Sequence, residues 1–337
     1  MSDVFQIRMG GYGPPATAFS KALKFIGDRL QAEFGDGVDV KYVWNIMDLD
    51  YRGEDILWLV ENGLLTLGYQ SSSYLTDRVP ELGFVDLPFL FRDNAQARAA
   101  MDGALGEHLA RRIEERCNYR ILGYFENGFR HISNRLRPVH RPEDLAGMKI
   151  RVLPSDVQAR TFSLLGAIPL KMDLTEAIDG VVNGTLDAQE NPFANTVTYG
   201  VHRFHKYHTL SRHFYISRPI FAHRDSVERW PDDLKAAMTR AVADSIAFQR
   251  GLSEQEAIDA RKEIEDVGCE MVEPSAEEQN AFVQAVRPQH EDAREMFGDE
   301  MFRRAGLQRG SGMRASRGSA GEIRTCRPAA RRPSGGH

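Results

Sequence analysis

FQIRMGG at residues 5–11, VDVKYVW at 38–44 and LLTLGYQ at 64–70 each carry the short apolar run of a strand. Between the first two lies ATAFSKALKFIGDRLQAEFG, 16–35, with helical apolar spacing that stops at Gly35; between the second and third lies RGEDILWLVENG, 52–63, closed by Gly63. The order βαβαβ predicts a parallel sheet with helices on its faces, because parallel neighbours need a crossover.

Downstream the pattern restarts. A helix is expected over about 94–116, then the strand YRILGYFEN at 119–127, HISN at 131–134 and GMKIRVL at 147–153. Helix 155–165, strand IPLKM at 168–172, helix 174–183 and strand TLDAQEN at 185–191 follow. HTLSRHFYISRPIFAHR, 208–224, is β-branched, aromatic and long enough to run through two domains, and helices dominate from Pro231 to about Arg304.

The chain has 337 residues, room for two domains. Its longest apolar runs, such as VDLPFLF at 85–91, are far short of the roughly 20 residues that span a bilayer. MSDVFQIRMGG has neither a basic start nor an apolar core, so no secretory leader is read there. Cys117, Cys269 and Cys326 are too scattered for a disulfide framework. Residues 307–337 hold seven arginines and one glutamate, so the net −5 of the chain divides into +6 there and −11 on residues 1–306. The tail is expected to be a disordered basic extension, and the acidic body disfavours nucleic acid as a partner.

Two motifs fail on their chemistry. GGYGPPA at 10–16 fits G-x-G-x-x-A, but Pro14 and Pro15 lack the amide hydrogens a pyrophosphate needs, and Trp44 and Asn45 stand where an acidic ribose ligand belongs. His202, His205, His208 and His213 are dense enough to suggest a metal, yet their spacing drifts around a helix and Arg203, Lys206 and Arg212 interleave them; a solvated connecting segment is expected. No nucleophile motif is found, and neither a metal nor a cofactor is expected.

What remains are polar residues at strand ends. Gln70 and Ser71–Ser73 follow strand three, Arg130 follows GYFENGF, and Asn191 follows TLDAQE. Arg151 lies inside GMKIRVLPS, where Met148, Ile150 and Val152 take one face, leaving Lys149, Arg151 and Leu153 on the other. A guanidinium beside a leucine there needs an anion. In an open α/β sheet ligands bind beyond the carboxyl ends of strands, so these residues could converge on one cleft.

Three ordered segments carry a family resemblance: VDLPFLFRD at 85–93, LGYFENGFRHISNRLRPVHRPEDLAGMKIRV at 122–152, and LGAIPLKMDLTEAIDGVVNGTLDAQENP at 165–192. With their G-x-R-x-x-x-N-x-x-x-P, D-L-x-G-x-K-I-R and D-x-Q-E-N-P patterns, the chain resembles the solute-binding proteins of tripartite ATP-independent periplasmic (TRAP) transporters, the family of C4-dicarboxylate-binding periplasmic proteins, over about residues 5–305. Ala188 stands where that family usually has glycine.

The resemblance implies a two-domain, periplasmic-binding-protein-like α/β fold with crossing strands and an interdomain ligand cleft. Domain one would be 1–125 with 211–250, and domain two 126–210 with 251–306. It implies a periplasmic protein without catalysis, which captures a small-molecule carboxylate and delivers it to TRAP membrane permease subunits. Arg151 would grip the carboxylate, since its planar fork matches two oxygens, with Arg130 and Asn191 as auxiliary contacts. Tyr12, Trp44, Gln70, Ser73, Phe214 and Tyr215 would line the remainder by position. Those neutral and aromatic residues predict an acid with an uncharged, partly apolar body. The alternative is a cytoplasmic carboxylate-binding enzyme or sensor on the same scaffold.

Overall fold

The computed structural model describes residues 4–307, so the expected basic tail lies, beyond Leu307, outside the described residues. Strand β1 (Phe5–Gly10), helix α1 (Ala18–Phe34), β2 (Val38–Val43), α2 (Asp55–Glu61) and β3 (Leu67–Tyr69) form the βαβαβ unit, with β1 parallel to both β2 and β3. Thr17 caps α1 by accepting from the Ser20 amide at 3.3 Å, and Gly35, at φ 51°, ends it.

The helix expected over 94–116 is two, α3 (Asn94–Met101) and α4 (Ala104–Arg116). The chain turns at Asp102–Gly103 and folds back so closely that a Cβ on Gly106 would lie 1.8 Å from the Met101 carbonyl oxygen. That approach involves atoms outside any periodic pattern, which is why the apolar spacing alone does not show the break.

Two long segments complete the frame. Strand β4 (Tyr119–Phe129) is followed after Arg130 alone by β5 (His131–Asn134). The 208–224 run divides into the end of β9 (Tyr207–Thr209) and β10 (Tyr215–His223). Sheet one has the order β2-β1-β3-β10-β4, with β10 antiparallel to both neighbours. Sheet two has the order β11-β9-β5-β8-β6-β7, where β6 is Lys149–Val152, β7 Ile168–Lys171, β8 Ala188–Asn191 and β11 Glu270–Val272. The chain therefore passes between the sheets at Arg130 and again over 210–214, and the Arg130 amide donates to the Phe214 carbonyl at 2.9 Å where the passages meet.

The remaining helices are α5 (Asp156–Leu164), α6 (Leu174–Val182), α7 (Phe193–Thr198), α8 (Arg224–Arg229), α9 (Asp232–Asp266), α10 (Ala276–Ala285) and α11 (Arg287–Arg304). The boundary expected at 250/251 falls inside α9, one continuous helix. Its first half lies on α1, with Ser245 Oγ donating to the Ala22 carbonyl at 2.9 Å, while Ala260 and Ile264 pack on Phe193 beside sheet two. Likewise α11, grouped above with the second domain, sends Met301, Phe302 and Ala305 into the core of sheet one. The second core gathers Ile132, Ile150, Val152, Phe162, Ile216 and Phe282.

One expectation is corrected. His202, His205, His208 and His213 are all buried, not solvated. They occupy a short 3-10 turn (201–203), the loop after it, β9 and the second passage rather than one helix, and tertiary packing buries them. His208 Nε2 donates to the His205 carbonyl at 2.9 Å, and Ser211 Oγ lies 2.7 Å from His213 Nδ1. Among the described residues no three His, Cys, Asp or Glu side chains converge as a metal set.

Candidate ligand-binding site

Arg151 leaves β6 with its side chain buried, while Met148, Ile150 and Val152 fill the opposite, core-facing side as the alternation requires. Its Nε donates to the Met172 carbonyl at 3.1 Å and its Nη2 to the Tyr74 hydroxyl at 3.1 Å. Both partners are neutral, and among the described residues no carboxylate oxygen lies within 4 Å of the guanidinium. Asp173 is close by, where Oδ2 caps α6 by accepting from the Thr175 amide at 2.9 Å and Oδ1 is buried without a partner. Burial raises the Tyr74 phenol well above its ordinary range, so it stays a neutral hydroxyl facing Arg151.

Arg130 is differently placed. Its fork is occupied by Glu190 of β8: Nη2 donates to Oε1 at 2.7 Å and to the Glu190 carbonyl at 2.7 Å, and Nε also donates to the carboxylate. His213 Nε2 stands 3.3 Å from the same carboxylate. Burial pushes the Glu190 carboxyl up, but Arg130 and His213 outweigh it and hold the group below its usual range. Glu190 is thus bound within the protein.

Asn191 ends β8, buried, with Nδ2 donating to Gln189 Oε1 at 2.5 Å. The segment after β3 reaches across to the other sheet's unit. Ser73 Oγ donates to Asp86 Oδ1 at 2.7 Å and accepts from Gln158 Nε2 at 3.1 Å, Gln158 also donates to Asp86 at 3.0 Å, and Thr76 Oγ1 donates to the Pro154 carbonyl at 3.1 Å. Gln70 donates to the Gly53 carbonyl at 2.7 Å, bracing that loop. Burial raises the Asp86 carboxyl to about 6, against the pull of its hydrogen bonds from Ser155, Ser73 and Gln158.

The aromatic residues separate. Tyr12 faces the space between the sheets, its ring 5.3 Å from Tyr69. Trp44 is half-buried and stacked on Tyr42 at 4.3 Å. Phe214 lies in the second core against Phe162, and Tyr215 packs on Phe91 and Phe129 while its hydroxyl donates to Glu126 at 2.9 Å. These two are core residues here, Phe214 in the second core and Tyr215 in the first, each 5% exposed or less.

Beyond the ends of β1 and β3 is a pocket of about 40 Å³, lined by Tyr12, Tyr69, Asn127, Asn195, Tyr199 and Arg218 among others. Tyr74, Tyr199, Asn195 and Arg218 were not expected at the site. Arg218 carries a signal like that of Arg151, an arginine within an otherwise apolar strand segment, ISRPIF. Burial raises the Tyr199 phenol, against the pull of Arg218 and Arg151. A larger apolar groove of about 250 Å³ runs between Pro80, Val157 and Phe297 of α11, but its arginine, Arg160, is paired with Asp292.

A profile described as bacterial extracellular solute-binding protein, family 7, matches residues 49–296. A crystal structure of a sugar acid binding protein from Advenella mimigardefordensis in complex with galactonate superposes with a TM-score of 0.85 at 28% identity, covering 90% of this chain and 97% of that one. The 2,3-diketo-L-gulonate-binding periplasmic protein of Escherichia coli is 30% identical over 207 residues, 60% of this chain and 63% of its own length. The C4-dicarboxylate-binding periplasmic protein of Rhodobacter capsulatus is 28% identical over 223 residues, 66% of each. The chain thus spans just under two thirds of these two curated relatives.

Proposed function

The chain belongs to the family 7 bacterial extracellular solute-binding proteins, a family of transport binding proteins and not of enzymes, and we propose that it captures a small organic acid by its carboxylate and presents it to the membrane subunits of a TRAP transporter. The periplasm is the proposed compartment. The observation that carries the ligand class is Arg151, a buried guanidinium at a strand end whose hydrogen bonds go to neutral oxygens. A desolvated cation without an anion is costly, and a carboxylate supplies both charge and a matching pair of acceptors. The ligands for which these relatives are named, galactonate, 2,3-diketo-L-gulonate and C4-dicarboxylates, are all carboxylates.

The two α/β units act as jaws hinged where the chain passes between the sheets, at Arg130 and over 210–214. Arg151 comes from one jaw and Tyr74 from the other, so an acid held by both favours the closed arrangement over the open one. Arg130 and Glu190 fix the end of β8 and so the place of Asn191. The test is a thermal-shift screen against small carboxylates and their amides. An acid at ~100 times its dissociation constant adds about 2.7 kcal/mol of stability. Stabilisation by amides and not by acids would overturn the reading.

A further inference from the structure

Helix α6 buries two neighbouring apolar stripes. Ala177 and Val181, four residues apart, pack with Leu186 and Val201 on the helix's own unit. Leu174 and Ile178, also four apart, form the stripe beside it and meet the opposite unit: Leu174 is 7% exposed within the core of sheet one, and Ile178 packs against that core.

The surface they meet includes the turn at 46–54. Asn45 caps this turn by accepting from the Met47 amide at 3.3 Å, and Asp50, at φ 62°, closes it. Gly53 makes the closest approach. Its amide donates to Thr175 Oγ1 at 3.4 Å, and a Cβ built on it would stand 3.5 Å from Leu174 Cβ and 3.4 Å from Asp173 Oδ1. Gly53 lies outside the left-handed region, so space rather than backbone conformation limits what can stand there. Thr175 Oγ1 donates in turn to Met47 Sδ at 3.7 Å, and Arg52 pairs with Glu176 at 3.4 Å, a pair too exposed to contribute much.

This contact adjoins the ligand site through both units. Gln70 donates to the Gly53 carbonyl, and Asp173 follows Met172, whose carbonyl accepts from Arg151 Nε. Parting the jaws here would return Leu174 and Ile178 to water, and the same movement would take Tyr74 from Arg151.

We infer that the 46–54 turn and the first turn of α6 are the latch of the jaws: Leu174 is the bolt, Gly53 is the seat it closes on, and the jaws open only when this contact parts. The latch therefore sets how long the acid held by Arg151 stays bound. The inference rests on the reading of Arg151 and the two jaws above, and it makes Leu174 and Gly53 positioning residues.

The experiment is a cross-link. Gly53→Cys with Leu174→Cys would set two Cβ atoms 3.5 Å apart, within the range of about 3.5–4.5 Å that a disulfide spans. Mild oxidation should join them, and neither single variant should form the link, as peptide mass spectrometry reads. Protein loaded with D-galactonate, 2,3-diketo-L-gulonate or succinate and then oxidised should keep the acid through gel filtration and release it on reduction. Leu174→Ala, and Gly53→Leu as a wedge, should speed release at least tenfold. Gly53→Ala and Leu174→Met should stay within twofold, because a methyl group fits the gap and methionine refills the bolt. In small-angle scattering without ligand, Gly53→Leu should be more extended than the oxidised double variant. Absence of the cross-link, equal radii of gyration for those two proteins, or acid that exchanges as freely from oxidised as from reduced protein would overturn the inference and leave Arg151 as the carboxylate grip. Cross-linking and scattering need no ligand, so they decide the latch even if none of the three acids binds, a result that counts against the reading of Arg151 alone.

Discussion

Arg130 and Glu190 form a forked ion pair, both side chains buried, where the chain leaves sheet one for sheet two; the guanidinium reaches the carboxylate through two nitrogens and the Glu190 carbonyl through one of them. The pair joins the first passage to β8, and His213 of the second passage completes it. Removing one partner of such a pair strands the other charge in a low-dielectric interior, which costs about 3–5 kcal/mol. Arg130→Ala should lower the free energy of unfolding by that amount in urea titration. A change below about 1 kcal/mol would mean that the pair is solvated.

The buried histidines set an acid limit. Burial lowers His205 to about 3 and His208 to about 4, from 6.5, so both are neutral in the fold at pH values where the unfolded chain takes up protons. Their contribution is intact above about pH 6.5 and is lost as pH falls toward the folded values, roughly 2 kcal/mol each at pH 5. Asp86 has the opposite sign: its folded value of about 6 exceeds 3.8, so the fold gains about 1 kcal/mol between pH 7 and 5. The histidines dominate. Melting temperature should fall between pH 7 and 5 in wild-type protein, and the slope should lessen in His205→Asn.

Phe302 ties the C-terminal helix to the first core, with its ring 5.0 Å from Phe84 and Arg294 4.3 Å above it. Phe302→Ala should cost about 3–5 kcal/mol of stability, as large-to-small core changes do. A calorimetric melt checks it, and an unchanged melting temperature would mean that α11 is only loosely docked.

Much of this was legible in advance. The parallel strands β1, β2 and β3 could be read because their apolar runs alternate with amphipathic helices at crossover length. The passages could be read because β4 with β5, and β9 with β10, are long apolar runs for one domain. Partners far apart in the chain could not: nothing near Arg130 announces Glu190, 60 residues away, as its counter-charge. Phe214 and Tyr215 were placed at the cleft by position, whereas their side chains turn into cores on either side. The histidine run misled because its letters look polar, and burial is set by what packs over 201–213. Arg218 shares with Arg151 the legible signal of an arginine inside a strand with apolar neighbours.

Tyr74 is the hydroxyl that meets Arg151 from the opposite unit, at 3.1 Å. Tyr74→Phe removes one neutral hydrogen bond and keeps the ring, so affinity for the bound acid should fall by about 0.5–1.5 kcal/mol with little change in melting temperature. Unchanged affinity by calorimetry would show that the hydroxyl does not hold the guanidinium in its binding pose.

The central claim is that the Arg151 guanidinium holds the ligand carboxylate. Titration calorimetry of Arg151→Ala against the best-bound acid tests it most directly, with Arg151→Lys and a melting curve as controls. Affinity should fall by roughly 2–5 kcal/mol in the alanine variant, recover only partly with lysine, which has the charge without the fork, and leave the fold intact. Unchanged affinity in Arg151→Ala would contradict the account.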